Sequence, residues 1–487
     1  MSHLPAHDEI HVISDLHMGG KDGFQILRET TRLANFIQWV GNQRPDGRVA
    51  LVLNGDVFDT LAEDTKGYVA VDEAVSTLQR IMDDAAFTGI WDALSEFVRK
   101  AARTLVLVIG NHDIELAFPQ VQQLILSRLA GEDLSARGRI VFSTVGAGYT
   151  CTVGASRVFC THGNEVDPWN YNRYEDLSRV ARRLAAGRSI SADEWMPNAG
   201  TKMVKDIMNE VKRKFAWIDL LKPETSAAIG TLLVLDPAQA AKIPRLPAIG
   251  GRLAQGKWEA DQRLAADVIH PTEADASRPP TVDELLGPHL KASLQPSADA
   301  MLMAAEENYQ RLTPGADDGT LGTGQLIWER LTGWLTGVSK EEALRRALQD
   351  WLDNDATFRI DNRDDCFNDV VPTVGSAVDI IVTGHTHLER AIDMGNGRYY
   401  FNSGTWIRLL EFSEAMLKDA DSFNPVYQVL MDGRMQAIDE AQFAGKPFVK
   451  DQCSAVSIGL EDSRVVGRLA HVDANGKPQE IKAFARP

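Results

Sequence analysis

The feature that most constrains this chain is an alternation, begun in its first residues, of short apolar runs with amphipathic stretches. "EIHVIS" (9–14), "RVALVLNGD" (48–56) and "TLVLVIGNHD" (104–113) read as strands. Between them, "FQILRETTRLANFIQWV" (24–40) carries Ile26, Leu27, Leu33, Phe36, Ile37 and Val40 at helical spacing, and "IWDALSEFVRKAA" (90–102) puts Leu94, Phe97 and Val98 on one face. Continuous apolar strands alternating with helices imply a sheet covered on at least one face. Helices placed between them supply that cover, so the pattern predicts an α/β core.

The pattern then changes. "GYTCTVGASRVFCTHG" (148–163) reads as a hairpin turning at Val153-Gly154-Ala155-Ser156. From about 166 to 374 the β signal gives way to amphipathic helices, in "RYEDLSRVARRLAAG", "KMVKDIMNEVKRKFAWIDLL" and "KEEALRRALQDWLDN", with Pro- and Gly-rich breaks around 243–256 and 278–288. Strand patterns resume at "AVDIIVTGH" and run through "ERAIDMGNGRYYFNSGTW" and "PVYQVLMDGRMQAI", where Asn396-Gly397 and Asp432-Gly433 are hairpin signals. A last β-like segment turns at Asn475-Gly476. The expected organisation is a core of residues 1–165 and 375–445, a helical insertion or cap of 166–374, and a C-terminal β extension of 446–487.

Composition narrows the function. A net charge of −17 argues against a general, salt-driven grip on nucleic acid. The N-terminus has no secretory pattern, and no run of about 18 apolar residues exists to span a bilayer; "SAAIGTLLVL" (226–235) is too short. Four cysteines without a CxxC pair fit buried thiols of a reducing cytoplasm. "GRLAQGKW" (251–258) has P-loop-like Gly and Lys spacing, but Trp258 replaces the Ser/Thr and no strand leads into it, so it reads as a loop.

Five strand ends carry polar clusters: Asp15-Leu16-His17, Gly55-Asp56-Val57-Phe58-Asp59, Gly110-Asn111-His112-Asp113, His162-Gly163 and Gly384-His385-Thr386-His387. Carboxyl ends of strands in α/β sheets gather ligand-binding residues into one crevice. A DxH or GNHD alone is equally well a turn with satisfied side chains, and a lone HG is more often structural. A Gly-His-x-His points further toward ligands because two adjacent histidines seldom serve packing. All five in order point to a metal site. On extended chain, residues i and i+2 point the same way, so His385 and His387 can serve adjacent metals from one loop.

In these blocks the sequence resembles the calcineurin-like metallophosphoesterases, whose motifs run DxH, GDxxD, GNH(D/E), H and GHxH. The resemblance covers about 1–165 and 376–440. It implies a two-sheet α-β-β-α sandwich and a dinuclear phosphoesterase. Carried over by position, Asp15, His17 and His387 would bind one metal, Asn111, His162 and His385 the other, and Asp56 would bridge them. His112 would be the catalytic histidine and Asp59 its orienting partner. Mixed carboxylate, amide and imidazole donors suit Mn²⁺ foremost, with Fe or Zn²⁺ as alternatives, better than Mg²⁺ or Ca²⁺. A carboxylate bridge holds two cations roughly 3.5–4 Å apart, and a hydroxide formed between them attacks phosphorus in line.

The substrate is less legible. "SDLHMG", "GDVFD" and "GNHD" are similar to the blocks of the family's double-strand-break repair nucleases, and the acidic charge stands against that reading. "SDLH" and a helical insertion after the HG block are also similar to UDP-2,3-diacylglucosamine pyrophosphohydrolases, which have Arg where this chain has His112. The GDxVDRG and GNHE of the family's protein phosphatases are absent. The expected substrate is a phosphodiester, nucleotide or lipid-linked phosphoester. A non-catalytic scaffold of the same fold would require lost ligands, and none is missing. "EVDPWNYNRYED" (165–176) offers Trp169, Asn170 and Arg173 as substrate contacts, or else a helix start packing its aromatics on the core. "FNSGTWIR" offers Asn402, Trp406 and Arg408 on the same terms.

Overall fold

Alternate residues of the central strands face two different cores. A computed structural model describes residues 4–21, 23–69, 71–190, 195–222, 226–236, 288–291, 338–353 and 357–486. The segment 251–258 and the Pro- and Gly-rich stretches near 243–256 and 278–288 lie essentially outside these residues. In chain order the strands are β1 (Ala6–His7), β2 (Glu9–Ile13), β3 (Val49–Asn54), β4 (Arg103–Val108), β5 (Ile140–Ser143), β6 (Tyr149–Val153) and β7 (Ser156–Cys160). Further along the chain come β8 (Ile380–Thr383), β9 (Glu389–Gly395) and β10 (Arg398–Ser403). Four two-residue strands follow, β11 (Leu409–Leu410), β12 (Gln442–Phe443), β13 (Lys446–Pro447) and β14 (Val449–Lys450), and then β15 (Ser454–Glu461), β16 (Arg464–Val472) and β17 (Pro478–Ala485).

They form a seven-stranded sheet, β17-β16-β15-β2-β3-β4-β5, and a six-stranded sheet, β1-β6-β7-β8-β10-β9. Strands β2 to β5 run parallel, and β15 adds antiparallel to the free edge of β2, so the C-terminal hairpins continue the first sheet. In the second sheet β7, β8 and β10 run parallel.

The period-two alternation assigns each strand residue to a layer. Ile10, Val12, Ala50, Val52, Val106 and Val108 face the second sheet and meet Cys151, Val158, Ile380, Val382 and Phe401 there. Ile13, Leu51, Leu53, Leu105 and Leu107 face outward, onto Leu33, Phe36, Ile37 and Val40 of the helix Thr30–Gly41 and Leu94, Phe97 and Val98 of the helix Thr88–Arg99. The second sheet's outer face packs Phe159, Ile381 and Tyr400 against Phe367 and Val370 of the helix Asp365–Val374. The result is the two-sheet sandwich with helices on both sides that the family resemblance implies.

A separate core unites the described parts of 203–351 with 407–449. Trp217, Leu344, Leu348 and Trp351 pack with Phe412, Phe423, Val426 and Leu430, and Trp217 Nε1 donates to the Leu430 carbonyl at 2.8 Å. The apolar run 226–235 is the helix Ser226–Leu235, and no helix among the described residues is long and apolar enough to cross a membrane.

The hairpins at Gly154-Ala155, Asn396-Gly397 and Asn475-Gly476 form as the sequence predicts. The one at Asp432-Gly433 does not. "PVYQVLMDGRMQAI" is helical: Ala420–Asp432 ends at Gly433 in the left-handed conformation (φ 75°), and Met435–Glu440 follows. Burial of Phe423, Val426 and Leu430 at helical spacing decides the element, and Gly433 serves as its C-terminal stop. "FQILRETTRLANFIQWV" forms its helix only from Thr30; Ile26 and Leu27 precede it, buried in different cores.

Phe401 is fully buried between the sheets, with Phe484 against its ring. Phe401→Ala should lower the unfolding free energy by about 3–5 kcal/mol in chemical denaturation. Leu134→Ala, at a side chain that is 80% exposed, should change it by less than about 0.5 kcal/mol.

Candidate metal centre

Both sheets deliver strand ends to the same place. Asn54, at the end of β3, ties them: its Nδ2 donates to the Thr161 carbonyl (2.8 Å) and the Val382 carbonyl (3.4 Å), at the ends of β7 and β8. Its own carbonyl meets His162 Nδ1 at 2.8 Å, which turns Nε2 of that ring toward Asp56. The approach is so close that a Cβ at Gly55 would lie 2.2 Å from His162 Nδ1, and one at Gly110 would lie 2.0 Å from Asp56 Oδ1. Glycine is required at both positions for lack of space.

Around this tie the side chains fall into three groups, each with ligand-type atoms within 4.8 Å of one another: Asp15, His17 and His387; Asp56, His162 and His385; and His17, Asp59 and His112. Asp56 Oδ2 stands between the first two, 3.7 Å from His17 Nε2 and 3.2 Å from His162 Nε2. His387 Nε2 is 3.5 Å from Asp15 Oδ1. The rings of His17 and His387 stack with centroids 5.0 Å apart, and those of His162 and His385 lie 5.2 Å apart.

The backbone bends sharply to achieve this. Asp15, His17, Asp56, His385 and His387 all have left-handed φ, from 46° to 69°. Such conformations cost of order 1 kcal/mol or more each outside glycine and collect at functional sites. The 385–387 loop is therefore not the extended chain expected from sequence. Two left-handed residues send His385 to Asp56 and His162, and His387 to Asp15 and His17.

The donor set fits divalent cations. Asp15 Oδ1, His17 Nδ1 and Nε2, Asn111 Oδ1, His162 Nε2 and His385 Nδ1 are all buried with no hydrogen-bond partner among the described residues. Burying polar atoms without partners costs roughly 1–3 kcal/mol for each group. Six such atoms belong to five residues, four of which lie in the groups that could hold a metal ion. The charge distribution agrees. Burial opposes ionisation of Asp56, yet His162, His112 and His17 beside it hold its carboxyl well below the usual range. Burial likewise opposes an imidazolium at His162, but Asp56 outweighs it and lifts that ring to about 10. Among these anions the site favours positive charge, which a metal ion supplies in place of protons.

His112 stands slightly apart. Its Nδ1 meets Asp59 Oδ1 at 3.0 Å, and its side chain is 18% exposed, against 5% for Asp59. Burial lowers its basicity, but Asp56 and Asp59 outweigh this and raise it to about 9. With Nδ1 engaged, Nε2 is the ring atom left to exchange a proton.

The proposed substrate residues are more scattered. Trp169 and Asn170 are half-buried in the segment after His162; Asn170 Nδ2 donates to Asp167 Oδ2 at 2.7 Å. Arg173 caps the helix Tyr174–Ala185 and pairs with Asp176 at 3.0 Å. Arg408 is buried, with its guanidinium on the carbonyls of Gln25 and Ile26 and on Asp439. Asn402 Nδ2 holds the Gly384 carbonyl at 2.8 Å, and Trp406 Nε1 is tied to the Ser454 carbonyl.

Three supporting residues, Asn54, Thr405 and Asp167, carry no signal that sequence reasoning used, and a fourth, Asp113, entered it only as part of a motif. Thr405 Oγ1 lies 3.2 Å from His387 Nδ1 and donates to the Asp15 carbonyl at 3.0 Å. Asp113 ends the GNHD block. Its carboxylate accepts from Gly110 N–H and Val57 N–H, both at 2.7 Å, and clamps two of the five strand ends together. Burial, then the neighbouring Asp56, raises Asp113 to about 7, against the pull of those two amides. Asp113→Ala should orphan both amides and destabilise the protein by about 2 kcal/mol or more in urea titration.

Residues 9–220 match the family model of the calcineurin-like phosphoesterases. No curated protein gives a significant match to the chain. The family match ends before His385 and His387, but the fold brings those two rings onto ligand-type groups that lie inside it. The chain thus carries a domain of the calcineurin-like phosphoesterase family, whose members are metal-dependent hydrolases of phosphoesters.

Proposed function

We propose that the protein is a dinuclear phosphoesterase acting on a phosphodiester, a nucleotide or a lipid-linked phosphoester. The observation that carries this reading is the convergence of unpartnered buried donor atoms into two clusters on either side of Asp56. Asp15, His17 and His387 would hold one ion; Asn111, His162 and His385 would hold the other; Asp56 Oδ2, within 3.7 Å of His17 Nε2 and 3.2 Å of His162 Nε2, would serve both. Bound there, Mn²⁺, or Fe or Zn²⁺, would acidify a water and neutralise phosphoryl charge.

The remaining chemistry belongs to side chains. Asp59 orients His112 through Nδ1 and favours its protonated form, so that Nε2 can hand a proton to the departing oxygen. Asp59 also lies 3.8 Å from His17 Nδ1, which couples the proton donor to one ligand set. Lys222, from the insertion, places a positive charge that bears on both His112 and His387 and suits an anionic substrate. Trp169 and Asn170 flank Asp167, which touches His385, and are the proposed contacts to the rest of the substrate. Arg173 is a weaker candidate because Asp176 engages it, and Arg408 is better read as a tie between segments.

A net charge of −17 disfavours duplex DNA as the substrate. The complete donor set disfavours a non-catalytic scaffold. Four buried cysteines, none paired, support a reducing compartment such as the cytoplasm.

Metal analysis should find two divalent ions per chain, and Mn²⁺-loaded protein should hydrolyse a generic phosphodiester or monoester. Diester turnover without monoester turnover would favour the nucleotide branch, and a protein that binds no divalent ion would end this reading. His112→Ala should retain both ions while turnover falls by about 10²–10⁴. Unchanged turnover in that variant would remove His112 from the mechanism.

A further inference from the structure

Residues 165–172, just past His162, supply none of the proposed ligands, yet they bond to, or directly beside, every non-bridging ligand of one proposed metal position. Glu165 Oε2 accepts the Gly163 N–H at 2.7 Å and fixes the residue next to His162. Asp167 Oδ2 lies 2.8 Å from His385 Nε2. Asn172 Nδ2 donates to the Gly110 carbonyl at 2.8 Å, directly before Asn111. Three short bonds from eight consecutive residues thus reach His162, His385 and Asn111 or their neighbours.

The other position is held differently. Asp15 and His387 are tied through Thr405, and Asp15 Oδ2 accepts the His385 N–H at 3.0 Å. Among the described residues, no hydrogen bond joins the side chains of Glu165, Asp167 or Asn172 to Asp15, His17 or His387. Both positions are therefore supported from within the sandwich, as by Asn54 at His162, but only the Asn111–His162–His385 position is also held by residues 165–172.

Resting on the dinuclear reading above, we propose that residues 165–172 are a dedicated brace for the Asn111–His162–His385 position, with Asp167 as its positioning residue. An ionised carboxylate only accepts, so Nε2 of His385 must carry the proton. That leaves Nδ1, buried and without a hydrogen-bond partner, as the atom presented to the metal. A carboxylate behind a ligating imidazole fixes its tautomer and ring orientation and raises its basicity. The same carboxylate accepts from Trp169 N–H at 2.8 Å and from Asn170 Nδ2 at 2.7 Å. The proposed substrate contacts and the metal ligand are thus built on one side chain, so the insertion governs occupancy of this position as well as access to it.

The test is titration of the full-length, metal-stripped protein with Mn²⁺, by calorimetry and by the electron paramagnetic resonance of the coupled Mn²⁺ pair. Wild type should bind two ions. Asp167→Ala should bind the first with unchanged affinity and the second about 10–100-fold more weakly, with loss of the coupled-pair spectrum. Asp167→Asn, which keeps the size and one acceptor oxygen, should fall between the two. Asp167 is 27% exposed at its side chain, so neither change opens a core, and metal-free melting midpoints close to wild type should confirm this. Two ions bound at wild-type affinity in Asp167→Ala would overturn the proposal, as would equal weakening of both positions. A wild-type protein that binds no Mn²⁺ would overturn the dinuclear reading and this proposal with it.

Discussion

The arrangement depends on one unfavourable fact: Asp15, Asp56, His17, His162 and Asn111 are buried together, each with at least one polar atom or charge that the protein does not fully satisfy. In a protein interior such groups normally pair, shift toward neutrality or coordinate metal. Pairing within the set is incomplete, because the carboxylate–imidazole distances of 3.2–3.8 Å are longer than good charge-assisted hydrogen bonds. Buried and converging at spacings longer than hydrogen bonds, these atoms leave room for a cation, and the scaffold is what sets their spacing.

That scaffold is the meeting of two sheets at their strand ends. Parallel β2, β3 and β4 bring Asp15, Asp56 and Asn111 to one edge, while parallel β7 and β8 bring His162 and His385 to the same edge from across the core. Asn54 fixes the separation by bonding both opposing strand ends, and Asp113 fixes the spacing between neighbours in its own sheet. Neither touches substrate on the present reading. Each converts ordinary sheet geometry into the close placement that a two-ion centre requires.

Much of this was legible in the sequence because it is local. Apolar strands, helices at 3.6 spacing and Gly-containing polar ends are all written within ten residues of each other. The failures have a common cause. Asp432-Gly433 fits a hairpin and a helix stop equally well, since both need glycine at positive φ; burial of Phe423, Val426 and Leu430 on one face chooses the helix. The Gly-His-Thr-His loop looks extended until its left-handed residues are seen. Asp167 meets His385 across 218 positions of sequence, and Arg408 meets the Gln25 carbonyl across 383. No pattern within a short window can encode such pairings.

Charge gives the residues beyond His162 a part in the proposed site. An acidic chain with Asp15, Asp56, Asp59, Asp113 and Asp167 around one centre repels a phosphoester unless cations intervene. Among the described residues, Lys222 bears on His112 and His387, and Lys205, held by the Glu63 carbonyl and Thr65, bears on Asp59. The sandwich thus contributes most of these anions and the imidazoles, while residues beyond His162 contribute Lys205, Lys222 and the Asp167 carboxylate at His385. On the proposed dinuclear reading, both would be needed to attract and place a phosphoryl group. Changes in the insertion should therefore alter substrate choice and metal occupancy together, because the same few residues after His162 serve both.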